Sequence, residues 1–152
     1  MQTITPFLWF DNNLEEAINF YAATFNDAKI TNISRQGADG PVFLANFEIQ
    51  GQKFMGLNGG PMFKFTEAVS FFISCDSQEE VDHLWDKLSD GGEIQQCGWL
   101  KDKFGLSWQV IPKVLMELMG SDNPAKSQAV MGAMMQMKKI ESSVLQAAYD
   151  ES

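Results

Sequence analysis

The sequence predicts an α+β fold in which two βαβββ modules are followed by C-terminal helices. Two observations carry this prediction. Strand-like alternation and helix-like periodicity follow one another in the same order twice within residues 1–112. Residues 113–152 keep helical periodicity alone. We therefore expect one domain of paired modules, about residues 1–61 and 62–112, and a helical extension over residues 113–152.

The first module opens with apolar, aromatic and β-branched residues at 3–10, which predict a strand. Residues 11–13 supply turn and capping chemistry, and residues 14–25 then show the apolar spacing of a helix with two acids in its first turn. Three further strands are predicted at residues 30–36, 42–49 and 53–58. The first module therefore reads β-α-β-β-β.

The second module repeats this order with one strand signal fewer. A strand at residues 68–74 is followed by a cap at 76–77 and by an apolar helical stripe that Gly91 ends. Strands are then predicted at residues 93–100 and 106–112. We expect the missing strand to be compressed into residues 93–100.

The two helices also match directly. Residues 12–21 and 76–85 align without a gap, at the spacing that separates Glu15 from Glu79 (79 − 15 = 64). Few residues are identical, but the chemistry recurs: a cap, two acids, an apolar position and an aromatic-bearing pair. An internal repeat is the simplest interpretation.

The last part of the chain is predicted to be helical. A short helix is expected near residues 114–119, a break at 120–124, and one long helix over residues 125–148. That helix contains Met131, Met134, Met135 and Met137. Because methionine is adaptable packing material, we expect the helix to seal a core or a dimer surface.

Composition excludes several classes of protein. Apolar residues make up 45% of the 152 positions, and 11 basic against 20 acidic residues give a net charge of −9. Such a surface repels phosphate backbones and anionic membranes, so neither nucleic acid nor a membrane is expected as a partner. The first residues do not resemble a signal peptide, no apolar run approaches bilayer length, and the two cysteines fit no disulfide or zinc pattern. A cytoplasmic protein is expected.

Several motifs carry a family resemblance. Asp102, Phe104, Gly105 and Trp108 form a D-x-F-G-x-x-W pattern that resembles the closing strand of the vicinal oxygen chelate superfamily. That superfamily includes glyoxalase I, extradiol dioxygenases and bleomycin-resistance proteins. A closer resemblance, to its PhnB-like or 3-demethylubiquinone-9 3-methyltransferase-like branch, rests on four further segments: residues 6–11, 15–21, 57–61 and 97–102.

The resemblance implies that two βαβββ modules form a U-shaped, mixed-sheet cleft, as in glyoxalase and bleomycin-resistance proteins. It also implies a homodimer, with modules that pair either within one chain or across two chains. In catalytic members a divalent metal lies in the cleft, held by a His from the first strand and a Glu from the last strand of each module.

The implied metal ligands can be tested position by position. The first-strand position falls on Thr5 or Pro6 in module one and on Ser70 in module two. The last-strand position falls on Gln109 in module two, and its counterpart in module one is Met55 or Gly56. Divalent ions need carboxylate or imidazole ligands to offset their dehydration. None of these residues supplies one, so we expect no metal and no cofactor.

Other candidate chemistries are weaker than their structural interpretations. Relatives carry a methyltransferase name, yet the glycines at residues 59–60 open no predicted helix of the kind that cradles a nucleotide-type cofactor. His83, the only histidine, is expected on a solvated helix face. Cys75 stands before a helix cap and could be nucleophilic, but a buried structural thiol is favoured, as it is for Cys97.

A cleft between curved sheets must be lined by strand side chains. The candidate ligand-binding residues are Thr5, Phe7, Asn58, Ser70, Trp99 and Gln109. They combine aromatic walls with a few neutral hydrogen-bonding groups, which suits a small apolar or aromatic molecule.

Three functions remain open at this point. The first is metal-independent binding of a small molecule. The second is an enzyme, a transferase or a lyase, whose nearest charged candidates are Asp11, Glu48, Asp102, Lys101 and Lys103. The third is a structural or regulatory dimer without a ligand.

Overall fold

A computed structural model describes residues 3–152. These residues form two compact units that divide between Phe65 and Thr66. The first unit contains β1 (Phe7–Phe10), α1 (Leu14–Thr24), β2 (Ala28–Arg35), β3 (Val42–Ile49) and β4 (Gln52–Asn58). The second contains β5 (Ser70–Cys75), α2 (Gln78–Ser89), β6 (Glu93–Ile94), β7 (Trp99–Lys101), β8 (Ser107–Pro112), α3 (Lys113–Met119), α4 (Pro124–Met135) and α5 (Ser142–Asp150). The α+β fold class predicted from the sequence is confirmed.

The first unit is a four-stranded mixed sheet in the order β1-β4-β3-β2. β1 runs parallel to β4, with Phe7 opposite Met55, and the other neighbours are antiparallel. β1 begins at Phe7 and is shorter than predicted. It follows Pro6, which has no N–H to donate to a strand partner, although the Pro6 carbonyl still accepts from the Met55 N–H at 3.0 Å.

One face of this sheet packs against α1. Leu14, Ala17, Ile18 and Tyr21 form the buried side of the helix. The Tyr21 ring stacks on Phe47 of β3 at 6.3 Å between ring centroids. Burial of these apolar side chains is the main source of stability for the unit.

The N-terminus of α1 is not capped in the way that residues 11–13 suggest. Asn13 stands at the capping position, but its side chain makes no capping hydrogen bond. Instead, the Asn58 Oδ1 atom accepts from the Leu14 N–H at 3.0 Å. The cap therefore comes from the end of β4, 44 positions along the chain.

The second unit repeats the arrangement with shorter strands, in the order β5-β8-β7-β6. β5 runs parallel to β8, as β1 does to β4. The missing strand lies where it was expected, because β6 and β7 both start within residues 93–100. The helical repeat holds as well, since α1 begins at Leu14 and α2 at Gln78, again 64 positions apart (78 − 14).

The single long C-terminal helix predicted over residues 125–148 is wrong. The structure has two helices there, α4 and α5, separated by a connector at residues 136–141. The connector carbonyls of Met137 and Lys138 accept hydrogen bonds from the Cys97 and Gly98 N–H groups, both at 2.8 Å. These bonds to the second sheet replace the helical bonds that an unbroken helix would make.

The C-terminal helices share a core with the second sheet. Five buried apolar side chains form it: Ile111, Leu115, Val130, Ile140 and Leu145. Ile111 belongs to β8 and the others to α3, α4, α5 and the connector. Among the described helices, none combines the length and hydropathy that a bilayer crossing needs.

Candidate functional site

The sheet of the first unit carries a hollow, and most of the residues that line it lie on the face turned away from α1. Side chains alternate along β4, so Phe54 and Gly56 are buried towards the helix, whereas Lys53 and Met55 point to the other side. The hollow has a volume of about 350 Å³. It is lined by Thr5, Lys29, Thr31, Asn46, Phe47, Glu48, Lys53, Phe54 and Met55.

Thr5 lies in this hollow, which decides between the two positions that the sequence left open. Thr5 stands five residues before the end of the first strand in its module, and Ser70 stands five residues before the end of β5. The strand registers also select Met55. Met55 lies opposite Phe7, two residues after Thr5, and Gln109 lies opposite Phe72, two residues after Ser70. Thr5 and Met55 are thus the module-one counterparts of Ser70 and Gln109.

The charged residues of the hollow form a row across three strands. Glu48 of β3 lies between its two cross-strand neighbours, Lys29 of β2 and Lys53 of β4. The Lys29 Nζ atom is 3.3 Å from the Glu48 carboxylate. These lysines, with Thr31 and Asn46, were missed in the sequence, although the alternation of β4 alone places Lys53 and Met55 on one face.

In the second unit, the predicted site residues Ser70, Trp99 and Gln109 share one face of the sheet. The Gln109 Nε2 atom donates to the Ser70 Oγ atom at 3.0 Å. Trp99 is the cross-strand partner of Gln109, and all three residues are partly exposed. Phe72, on the same strand as Ser70, is 52% exposed.

Asn58 has a different environment from the other predicted site residues. Its Oδ1 atom accepts from Leu14, and its Nδ2 atom donates to the Val42 carbonyl at 2.8 Å. Both ends of the amide are therefore engaged within the first unit, on the α1 side of the sheet. Phe7, by contrast, lies opposite Met55 and is 48% exposed.

Neither unit offers a divalent ion suitable groups at the two positions that correspond to metal ligands. Thr5, Met55, Ser70 and Gln109 offer two hydroxyls, a thioether and an amide, and the last two side chains already bond to each other. Such neutral groups do not offset the dehydration of Mg²⁺, Mn²⁺ or Zn²⁺. Within residues 3–152, no three His, Cys, Asp or Glu side chains are grouped so that they could hold a metal.

The residues also do not fit a methyl donor held in the usual nucleotide-binding manner. That mode needs a glycine-rich turn between a strand and a helix. The β1–α1 turn, residues 11–13, and the β5–α2 turn, residues 76–77, contain no glycine. Gly59 and Gly60 follow β4, but the next element along the chain is the strand β5 and not a helix.

The two glycines have a packing role instead. The Trp9 Nε1–H donates to the Gly60 carbonyl at 2.9 Å. A Cβ atom at Gly59 would overlap the Trp9 ring and come within 2.6 Å of the Leu57 Cδ1 atom. Phe63 then packs edge-on against Trp9, at 5.0 Å between ring centroids. The segment after β4 is therefore folded back onto the first unit.

The D-x-F-G-x-x-W pattern builds a turn and does not form a reactive site. Asp102 is 2% exposed, and its Oδ1 atom accepts from the Phe104 and Leu106 N–H groups at 2.9 and 3.1 Å. Its Oδ2 atom accepts from the Trp108 indole at 2.9 Å. Gly105 has a φ of 92°, which favours glycine.

Cys75 and His83 lie apart from these faces. Cys75 is fully buried, and burial, with smaller contributions from Glu80 and Asp76, raises the pKa of its thiol to about 12. A thiol with so high a pKa is a poor nucleophile at neutral pH. His83 is on the exposed side of α2, as expected.

Both the sequence and the fold of this chain match known proteins. The family model of 3-demethylubiquinone-9 3-methyltransferase matches residues 2–111. The PhnB protein from Bacillus cereus, named as a candidate for that methyltransferase, is 37% identical, with a TM-score of 0.68 over 73% of this chain and 99% of its own. No curated protein matches the sequence at a significant level.

Two more distant structures share the fold alone. Protein PA1353 from Pseudomonas aeruginosa is 22% identical, with a TM-score of 0.64 over 74% of this chain and 98% of its own. The fosfomycin resistance protein FosX from Listeria monocytogenes, complexed with Mn(II) and sulfate, is 18% identical, with a TM-score of 0.54 over 71% and 89%.

The fold therefore defines a protein of the vicinal oxygen chelate superfamily, as the sequence motifs indicated. Within it, the chain belongs to the 3-demethylubiquinone-9 3-methyltransferase family, the PhnB-like branch.

Proposed function

We propose that this protein binds a small apolar or aromatic organic molecule without a metal ion. The observation that carries the proposal is the hollow of about 350 Å³ on the first sheet. Its volume lies in the range of small-molecule sites, and its lining combines the apolar Met55 with hydrogen-bonding Thr5 and Asn46. The neutral side chains at the metal-ligand positions of this chain leave the binding to such contacts.

The corresponding face of the second sheet supports the same proposal. Ser70 and Gln109 form a neutral hydrogen-bonded pair beside the partly exposed Trp99. Trp99 offers an aromatic surface, and the amide and hydroxyl can orient a polar group of a ligand. The proposed binding residues are Thr5 and Phe7 on the first sheet and Ser70, Trp99 and Gln109 on the second. We leave out Asn58, because both ends of its amide are engaged.

The experiment is a fragment screen by thermal shift, with and without EDTA. A compound that binds the native state raises the melting temperature. We expect at least one aromatic or aliphatic fragment to stabilise the wild type, and EDTA to leave that stabilisation unchanged. Met55→Trp fills the hollow and should abolish the shift, whereas Met62→Trp, at a position 76% exposed, should keep it.

Two results would contradict the proposal. One is a failure of a broad library to stabilise the protein at millimolar concentration. The other is binding that EDTA abolishes and Mn²⁺ or Zn²⁺ restores. Far-UV circular dichroism on both variants shows whether a lost response reflects a filled hollow or a lost fold.

We propose further that the protein is a homodimer. Large apolar side chains are exposed in both units, including Phe43, Phe63 and Phe72 at 46, 59 and 52%. So many exposed aromatic rings are typical of an association surface. Light scattering after size exclusion should give a mass of about 34 kDa, twice the 17.0 kDa of one chain. A mass of 17.0 kDa across micromolar concentrations would contradict it.

The cytoplasm is the compartment that we propose. Both cysteines, Cys75 and Cys97, are free, which suits a reducing environment. Immunodetection after fractionation of the native cells should find the protein with cytosolic markers. Recovery with the membrane or extracellular fraction would show the proposed compartment to be wrong.

A further inference from the structure

One of the two lysines that line the hollow of the first sheet has no carboxylate partner among the described residues. Lys53 lines the hollow beside Met55. Glu48, its cross-strand neighbour, is paired with Lys29 at 3.3 Å. Among residues 3–152, Lys53 takes part in no ion pair. The hollow therefore presents one uncompensated positive charge.

The sign of this charge is opposite to that of the whole chain. The chain carries a net charge of −9. In the hollow, two lysines and one glutamate give a local excess of one positive charge. Glu48 is the more enclosed member of its pair, with a side chain 21% exposed against 68% for Lys29. The Glu48 carboxylate is thus paired with Lys29, and the charged group left for a ligand to bind is the ammonium of Lys53.

Neutral hydrogen-bonding groups line the same hollow as Lys53. The hydroxyls of Thr5 and Thr31 and the amide of Asn46 line the same hollow. A carboxylate has two acceptor oxygens, which can each take more than one donor. A hydrogen bond from an ammonium to a carboxylate is stronger than one between neutral groups. Met55 supplies the apolar surface for the rest of the molecule.

We infer that the ligand of this hollow is a small organic carboxylate whose acid group binds Lys53. The inference rests on the proposed function and adds the chemical class of the molecule. A single uncompensated ammonium matches one negative charge and does not match a phosphate dianion. A cationic ligand would be repelled by Lys53 and would find Glu48 already paired.

The test compares acids with their neutral amides. Benzoate and hexanoate are titrated against benzamide and hexanamide into the ¹⁵N-labelled full chain, and amide shifts of Thr5, Thr31 and Asn46 report binding. We expect both acids to bind at least tenfold more tightly than their amides. Lys53→Gln should remove that preference. Lys87→Gln, a lysine on α2 outside the hollow, should keep it.

The outcomes separate this inference from the proposed function. Equal binding of acids and amides, or an unchanged preference in Lys53→Gln, would overturn the carboxylate assignment and leave small-molecule binding in place. Inorganic phosphate binding more tightly than benzoate would overturn it as well. Binding of none of these probes at the hollow would overturn the carboxylate assignment, whereas the proposed function fails only if the broad library also yields no stabilising compound. Because Lys53 is an exposed strand residue, we expect Lys53→Gln to fold, and the ¹⁵N spectrum of the variant checks this.

Discussion

At the scale of single residues, Asp102 is the side chain that holds the D-x-F-G-x-x-W motif together through hydrogen bonds. Its buried carboxylate accepts from two backbone N–H groups and from the Trp108 indole. A buried donor that loses its acceptor keeps the full cost of its desolvation. Asp102 therefore holds the turn before β8 and fixes the orientation of Trp108.

Replacement of this aspartate should destabilise the protein strongly. We expect Asp102→Ala to lower the free energy of unfolding by about 3 kcal/mol, because three donors lose a charged acceptor. Urea denaturation followed by tryptophan fluorescence measures the change. Asp39→Ala, in an exposed turn, is the matched control and should stay within about 0.5 kcal/mol of the wild type. Equal effects of the two substitutions would refute the role given to Asp102.

The two thiols should differ sharply in reactivity. The thiolate is the reactive form, and a pKa raised to about 12 leaves very little thiolate on Cys75 at pH 8. Cys97 is partly exposed. A thiol reagent at pH 8 should thus modify one cysteine in the native protein and the second only after denaturation.

The variants Cys75→Ser and Cys97→Ser assign the two phases of this reaction. The native phase should persist in Cys75→Ser and vanish in Cys97→Ser. Fast labelling of native Cys97→Ser would show that Cys75 is accessible and activated, contrary to its burial.

At the scale of elements, the segment after β4 shows how glycine serves close packing. Gly59 lies where any side chain would overlap the Trp9 ring. Gly60 has a φ of 91°, and its carbonyl accepts a hydrogen bond from the Trp9 indole N–H. The motif at residues 57–61 thus joins the end of β4 to β1, and it is explained without a cofactor.

Two glycine substitutions should have opposite effects on stability. Gly59→Ala should cost about 2 kcal/mol, because its Cβ atom overlaps Trp9 and Leu57. Gly132→Ala should add about 0.5–1 kcal/mol, since Gly132 is inside α4 with nothing within 4 Å of the new Cβ atom. Chemical denaturation of both variants tests this, and a stable Gly59→Ala protein would contradict the packing argument.

At the scale of the whole molecule, the C-terminal helices belong to the second unit and complete its core. Ile111 of β8 contacts a cluster that includes Val130, Ile140 and Leu145. Gln78 of α2 reinforces it, donating to the Ile140 carbonyl at 2.9 Å and accepting from the Ser142 N–H at 2.8 Å. Residues 66–152 therefore form a single compact unit.

This core predicts a large effect at a position outside any helix or strand. Ile140→Ala should lower the free energy of unfolding by about 3 kcal/mol, because a fully buried side chain leaves a cavity. Val144→Ala, at a position 49% exposed on α5, should change it by less than about 0.5 kcal/mol. Similar values for the two variants would mean that the helices do not share a core with the sheet.

The candidate site was only partly predictable for reasons that belong to strand geometry. The sequence led to Ser70 and Gln109 through the repeat and the family motifs, but in module one it left Thr5 and Pro6 as alternatives. A strand that shifts by one residue turns every side chain to the opposite face, so only the register of β1 and β4 separates the two. Asn58 shows the same effect, since it lies on the helix side of β4.

The sequence by itself determined the order of the elements, the repeat of 64 positions and the neutral character of the metal-ligand positions, because periodicity and residue chemistry are local properties. Only the tertiary structure decided where the C-terminal helix breaks, which residue caps α1 and which of the two lysines in the hollow pairs with Glu48. In each case the partner is distant in the chain: Gly98 bonds to the connector, Asn58 caps Leu14, and Glu48 pairs with Lys29. Hydrogen bonds and ion pairs between distant residues form only when the fold brings them together, and local pattern carries no record of them.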